Sequence, residues 1–318
     1  MKLVANGPFD EARARAIAPD VDVVIAETAE HLIGEAIDAD IVINISAQVL
    51  EKLLRQSTPL KWAHTSSAGV DRFLTPEFLS SDVILTCAKD GPAGPNLAEH
   101  AFALLLALTR NVAISARKTT WKRGELSSGV YELGGKTLGV IGYGGVGREM
   151  ASRASAFGMA VAAIKKTQRE DVPADASADI EILPPERLDV VLAKSDAVMI
   201  AVPDTPDTVG LFDKAAFAAM KQSAIIVNVG RGSTIVTDDL VSALEVGEIS
   251  GAGLDVTDPE PLPEGHPLWS MDQVVITPHI AGVAPERGIR NLERVLQNLE
   301  LFVAGRPLLS TVDKKLGY

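Results

Sequence analysis

Short apolar runs rich in β-branched residues alternate along this chain with segments whose apolar positions recur at helical spacing. In the first third, Lys2–Ala5, Asp22–Ala26, Ile41–Ile45, Trp62–Thr65 and Val83–Thr86 read as strands. Helical patterns lie between them, for instance Phe9–Ile17 and Ala47–Arg55. This alternation predicts a small doubly wound parallel sheet. The breaker GPAGPN (Gly91–Asn96) comes next, followed by a long helical pattern from Leu97 to about Lys118. A helix of that length after a breaker predicts a crossing into a second domain. A second series then reads Thr137–Ile141, Ala160–Ile164, Ala197–Val202, Ala224–Val229, Gly251–Asp255 and Val274–Thr277. These runs are apolar throughout, as expected of strands covered on both faces. A last helix, about Pro285–Ala304, offers the chain a path back to the first domain.

Composition narrows the class. The 318 residues give room for two domains, and 47% hydrophobic content suits a large core. A formal charge of −12 argues against nucleic acid or an anionic membrane as the main partner. Cys87 is the only cysteine, so no intrachain disulfide can form, which suits a reducing cytoplasm. The apolar run Ala101–Leu108 is far short of the roughly 20 residues that span a bilayer, and the N-terminus lacks the apolar stretch of a signal peptide. The expectation is a soluble cytoplasmic protein.

GYGGVG, the run Gly142, Tyr143, Gly144, Gly145, Val146 and Gly147, sits between the strand TLGVI and a helical pattern, Val146–Ala156. Glycine-rich turns are common, but in this context they bring backbone close to a pyrophosphate at a helix N-terminus. A dinucleotide fold of this kind ordinarily has an acid about 20 residues on, to bind ribose hydroxyls. Here the second strand ends in Lys165, Lys166 and Thr167 instead. Two ammonium groups and a hydroxyl would attract a 2′-phosphate, so the charge favours NADP(H) over NAD(H). Lysines solvated in a loop are the plainer alternative.

Three residues near strand ends form a second constellation. Arg231 lies in NVGRG, where Gly230 and Gly232 permit a sharp turn, and its planar fork suits a carboxylate. His279 lies in TPHIAG, and an imidazole can give a proton to a developing alkoxide or take one back. Glu260 lies in DPEPLP, and a carboxylate bonded to a histidine stabilises the imidazolium. Each residue alone could be structural. Together, downstream of a dinucleotide loop, they predict reduction of a 2-oxo acid. Asp255 ends a strand, where it could accept from a nicotinamide carboxamide or cap a loop. Trp269, in HPLW, is a candidate pocket wall. His31, His64, His100, His266 and His279 show no zinc-ligand spacing, and there is no G-x-S-x-G elbow or Walker loop, so no metal is expected.

These motifs resemble the D-isomer-specific 2-hydroxyacid dehydrogenase family over nearly the whole chain. SSAGVD (Ser66–Asp71), NLAEHAFALLLALTRN (Asn96–Asn111), GGKTLGVIGYGGVG, PDTPDT (Pro203–Thr208), NVGRG, LDVTDPEPLP, HPLW and TPHIAG carry the resemblance. It implies a Rossmann cofactor domain, residues 98–284, inserted into a flavodoxin-like substrate domain, residues 1–97 and 285–318, with catalysis in the cleft. It further implies that Arg231 binds and polarises the substrate, His279 is the acid/base and Glu260 its partner. The backbone around Ser67, Gly69 and Val70 would hold the substrate carboxylate. Gly145, Val146, Pro203, Thr208, Val229, Gly230, Asp255 and Gly282 would line the cofactor, and the protein would be a homodimer.

The lysine pair departs from the Asp of many members. Glu260 stands where formate dehydrogenases of the family carry Gln, which argues against formate oxidation. The short C-terminal segment lacks the regulatory extension of many phosphoglycerate dehydrogenases, though short forms exist. The reading leans to a small 2-oxo acid of the glyoxylate or hydroxypyruvate type. Its alternatives are a short phosphoglycerate dehydrogenase and a non-enzymatic dinucleotide-sensing corepressor on the same fold.

Overall fold

Leu3–Ala5 and Ile41–Ile43 are buried throughout, as their unbroken apolar sequence requires of central parallel strands. The computed structural model describes residues 1–56, 58–89, 91–166 and 180–318. It divides into two compact units, Met1–Ala93 with Ala284–Tyr318, and Gly94–Val283.

In the first unit, β1 (Lys2–Asn6), β2 (Asp22–Ala26), β3 (Ile41–Ile43), β4 (Trp62–His64) and β5 (Ile84–Thr86) form a parallel sheet. Its order, β2-β1-β3-β4-β5, is that of flavodoxin-like folds. Helices α1 (Glu11–Ile17), α2 (Ala29–Ala36), α3 (Ala47–Leu54) and α4 (Pro76–Ser80) lie between the strands. Each begins behind a side-chain cap: Asp10, Thr28, Ser46 and Thr75 accept from the backbone N–H three residues on. One apolar layer gathers Leu32, Leu50, Leu53, Phe78 and Leu85. The other gathers Leu3, Ile41 and Trp62 with Val295 and Leu299 of the C-terminal helix, Pro285–Val303.

A polar chain runs through this core. The Trp62 Nε1–H donates to Thr86 Oγ1 at 2.8 Å. Asn291 Oδ1 can only accept, so His64 Nε2–H donates to it at 3.1 Å, which leaves Nδ1 of the neutral ring to accept the Thr86 hydroxyl proton at 2.8 Å. Burial pushes His64 down to about 4; the bond to Asn291 works against that shift, and Arg294 adds a smaller push downward.

In the second unit, β6 (Thr137–Ile141), β7 (Ala160–Ile164), β8 (Ile180–Leu183), β9 (Ala197–Ile200), β10 (Ile225–Asn228), β11 (Gly251–Leu254) and β12 (Val274–Ile276) form a parallel sheet. Its order is β12-β11-β10-β9-β6-β7-β8. The chain builds outward from β6 to β8, then returns to β9 on the other side. The seam between β6 and β9 is thus the switch point at which open α/β sheets bind ligands. Helices α5 (Gly94–Thr109), α6 (Val112–Ala116), α7 (Arg123–Leu126), α8 (Gly145–Ala156), α9 (Leu188–Lys194), α10 (Lys214–Ala218) and α11 (Thr237–Glu245) complete the unit.

Two sequence expectations change. The long helix after the breaker stops at Thr109, and Asn111 adopts a left-handed φ of +54° before α6 begins. The same helix starts inside the breaker, because Pro95 falls in its first turn, where a missing N–H costs nothing. Strand β8 was not expected. It is a half-exposed edge strand containing Glu181, so it lacks the apolar run that marks its neighbours.

Candidate active site

The glycine loop opens at the switch point. Gly142 has φ +105°, and a Cβ there would stand 2.5 Å from the Ala201 carbonyl oxygen. The N–H groups of Gly142 and Tyr143 donate to Ile164 O at 3.2 and 2.9 Å, tying the loop to the end of β7. A Cβ on Gly147 would meet Gly142 O at 2.2 Å, so α8 packs directly on the turn. Gly144 differs: a Cβ there would find no neighbour within 4 Å, and the residue is exposed. It is the N-cap of α8 and supplies no side-chain cap. Two glycines are therefore required by packing and the third leaves space in front of a helix N-terminus. That is the cradle a pyrophosphate fits. Gly145 and Val146 form the first residues of α8.

Around this loop, Lys165 N–H donates to Leu183 O at 3.0 Å, which fixes the end of β7. Lys166 Nζ pairs with Asp207 at 2.5 Å, both side chains being more than half exposed. The sequence reading did not foresee Asp207 as a partner of the lysine pair. Thr167 lies outside the described residues. The Thr208 hydroxyl donates to Pro203 O at 2.6 Å and accepts from Thr205 N at 2.9 Å, shaping the loop after β9. Val229 is buried.

Arg231, Glu260 and His279 follow β10, β11 and β12, three neighbouring strands of one parallel sheet. Asn228 fixes the turn at Arg231: its amide donates to Arg231 O at 2.8 Å and its oxygen accepts from Gly230 N at 2.9 Å. Arg231 Nη1 donates to Gly230 O at 2.9 Å. At Gly232 a Cβ would stand 2.0 Å from Thr257 O, so only glycine lets this turn meet the segment leading to Glu260. That segment carries cis bonds at Asp258–Pro259 and Glu260–Pro261. His279 Nδ1–H donates to Glu260 Oε1 at 2.7 Å, with the side chains 49% and 44% exposed. The carboxylate accepts only, so Nδ1 keeps the proton and Nε2 is left to exchange protons.

The turn at His279 is unusual, with φ +54°. Its N–H donates to Asp255 O at 2.8 Å and to Thr277 O at 3.0 Å. The buried Asp255 side chain collects three donors: Thr277 Oγ1 at 2.7 Å and Ile280 N at 2.9 Å on Oδ1, and Ala281 N at 2.9 Å on Oδ2. Asp255 therefore braces the His279 turn. Asn96 Nδ2 donates to Ala281 O at 2.8 Å, and His100 Nε2 lies 2.8 Å from Thr277 Oγ1. Neither residue, nor Thr277, stood out in the sequence. The signal was two polar residues one turn apart on a helix that otherwise buries Ala98, Ala101, Phe102, Leu104 and Leu105.

Gly282 ends this turn. Trp269 lies in the 3₁₀ turn Pro267–Ser270, 50% exposed, with its indole N–H donating to Pro263 O at 3.0 Å. In the first unit, Ser67, Gly69 and Val70 follow β4. There Ser67 O accepts from Ala88 N at 2.9 Å, and Val70 is buried ahead of the turn Asp71–Phe73. Among the described residues no group of His, Cys, Asp and Glu is placed to hold a metal ion. No helix among them is long and apolar enough to cross a membrane.

Known proteins resemble this chain along most of its length. Residues 102–281 match the model for the D-isomer specific 2-hydroxyacid dehydrogenase NAD binding domain. A glyoxylate reductase from Pyrococcus furiosus is 32% identical over 90% of this chain and 86% of that protein. A D-3-phosphoglycerate dehydrogenase from Mycobacterium bovis is 34% identical over 87% of this chain, but the match spans only 51% of that protein. Among solved structures, the NADPH-dependent glyoxylate/hydroxypyruvate reductase of Sinorhizobium meliloti, in complex with NADP and sulfate, superimposes with a TM-score of 0.79 at 26% identity. That match covers 100% of this chain and 99% of the other.

Proposed function

The chain belongs to the D-isomer specific 2-hydroxyacid dehydrogenase family, and we propose that it reduces a small 2-oxo acid of the glyoxylate or hydroxypyruvate type with NADPH. Enzymes of this family are NAD(P)-dependent oxidoreductases, and this chain is one of them. The observation that carries the reading is the His279–Glu260 pair at 2.7 Å, on the loops after β12 and β11, with Arg231 on the loop after the neighbouring β10.

Bound nicotinamide supplies the hydride. Arg231 holds the substrate carboxylate and draws electron density from the carbonyl. The protonated His279 gives its Nε2 proton to the carbonyl oxygen as the carbon is reduced. Glu260, on Nδ1, steadies the imidazolium before transfer and fixes the ring's orientation. In the oxidative direction the same Nε2 takes the hydroxyl proton. Gly142–Gly147 and the start of α8 hold the pyrophosphate, with Pro203, Thr208, Val229, Gly230, Asp255 and Gly282 lining the remaining cofactor surface. Within the first unit, the backbone of Ser67, Gly69 and Val70 is the proposed anchor for an anionic substrate group, and within the second unit Trp269 is the proposed pocket wall.

The NADP(H) preference rests on Lys165 and Lys166, with Thr167 beside them in sequence, standing at the end of β7 where an acid is ordinarily expected; the nearest acids in sequence are Glu170 and Asp171. The NADPH-dependent relative of known structure supports it. Asp207, paired with Lys166, lowers the net positive charge there. The glyoxylate or hydroxypyruvate type is supported by the glyoxylate reductase relative and by the glyoxylate/hydroxypyruvate reductase of known structure. A cytoplasmic homodimer completes the proposal; light scattering of the purified protein tests the assembly. Mixing the protein with NADPH or NADH and a panel of 2-oxo acids tests the activity. Oxidation of NADPH with glyoxylate or hydroxypyruvate is expected. No oxidation with any acid would favour the dinucleotide-sensing alternative.

A further inference from the structure

We propose that His100, on α5, is a positioning residue that sets the orientation of His279 through Thr277 and Asp255. The proposal rests on the reading of His279 as the proton-transfer group.

The donors can be assigned one by one. The Thr277 hydroxyl has a single proton, and the Asp255 carboxylate only accepts. At 2.7 Å that proton goes to Asp255 Oδ1. Thr277 Oγ1 must then accept from His100, whose Nε2 lies 2.8 Å away, so Nε2 carries the hydrogen. The same Nε2–H lies 3.4 Å from Asp255 Oδ1, within reach of a shared interaction. Asp255 in turn accepts the N–H groups of Ile280 and Ala281, the two residues that follow His279. A continuous chain thus runs from α5 to the backbone of the His279 turn.

This turn needs such a brace. A non-glycine residue at φ +54° persists only where its surroundings over-determine it. His100 orients the Thr277 hydroxyl, and that hydroxyl holds the carboxylate at the angle its backbone donors require. The His100 side chain is only 20% exposed and Asp255 1%, so water competes poorly for these bonds. Asn96, one turn earlier on α5, grips Ala281 O at 2.8 Å. Loss of His100 therefore loosens the turn without releasing it, and the effect falls on catalysis before it falls on folding.

The test compares His100→Phe, His100→Gln, Thr277→Val and the double variant His100→Phe/Thr277→Val, with His279→Ala alongside. Turnover is measured with NADPH and glyoxylate. Deuterium exchange is followed by mass spectrometry at Ile280 and Ala281, a readout independent of activity. A small misplacement of a proton donor costs roughly 10-fold or more in rate, so His100→Phe should lower kcat about 10-fold while KM for NADPH stays near parental. Exchange at Ile280 and Ala281 should quicken. Gln places an amide donor where the imidazole Nε2 stood and should restore most of both. The double variant should be no slower than Thr277→Val. The proposal is overturned if Gln is as impaired as Phe in exchange and rate, if the two single effects multiply, or if exchange is parental in His100→Phe. An active His279→Ala would instead remove the reading of His279 on which the proposal stands.

Discussion

His64 should make the first unit lose stability in mild acid by an amount that the structure sets. The imidazole is fully buried, and both its ring nitrogens are already bonded: Thr86 gives its proton to Nδ1, and Nε2–H goes to Asn291. Burial disfavours the charged imidazolium, which agrees with a depression to about 4. In the unfolded chain the same histidine titrates near 6.5. The folded value is the lower one, so the unfolded state binds the proton first as pH falls. Stability is complete above about 6.5 and is lost between there and about 4. Linkage gives a loss of about 2 kcal/mol between pH 7.5 and 5.0 from this residue alone. Urea unfolding followed by tryptophan fluorescence suits the measurement. Trp62 is wholly buried in the same network, whereas Trp121 and Trp269 are 93% and 50% exposed, so the signal reports chiefly on this core. His64→Gln removes the titration while leaving an amide to hydrogen-bond. The difference in pH dependence between parent and variant isolates His64 from other titrating groups. Equal slopes in the two proteins would refute the reasoning.

Other perturbations probe the second unit. Lys165→Asp should weaken NADPH strongly and help NADH modestly, since a charge-assisted bond to phosphate contributes roughly 1.5–3 kcal/mol before screening. The contrast in kcat/KM should shrink as salt rises, and a parent that already prefers NADH would end the lysine argument. Gly232→Ala would place a methyl 2.0 Å from Thr257 O, so the turn must move. Turnover should fall about 100-fold with a lowered Tm, and parental values for both would show that the close approach is dispensable. Glu260→Gln keeps an acceptor for His279 Nδ1–H but removes the charge, and kcat should fall about 10-fold with NADPH affinity little changed. An unaltered kcat would reduce Glu260 to a loop residue.

Much of this architecture was legible because buried parallel strands leave a plain mark. Thr137–Ile141 and Ala160–Ile164 read as strands with the bounds they have, both being apolar along their length. The glycine spacing at 142, 144 and 147 was legible for a related reason. Packing forbids a Cβ at the first and third, and the exposed second has nothing near it. Strand β8 was hidden because an edge strand need not be apolar on both faces. The break at Asn111 was hidden because Val112–Ala116 continues the composition of α5 and only the backbone turns. The bracing of His279 was the least visible part. Asn96 and His100 act across more than 170 residues of sequence, and no local pattern encodes a partner at that distance. Asp255 shows the same limit: its place at a strand end was evident, but three donors from the Thr277–Ala281 turn were not.

The central claim is that His279 donates the proton as a 2-oxo acid is reduced. The most direct measurement is NADPH oxidation with glyoxylate and hydroxypyruvate by the parent and by His279→Ala, together with the affinity of each for NADPH. General acid catalysis contributes roughly 10²–10⁴-fold, so the variant should lose that much turnover while binding NADPH within a few-fold of the parent. A folded His279→Ala protein that still reduces either acid at near-parental rate would contradict the account.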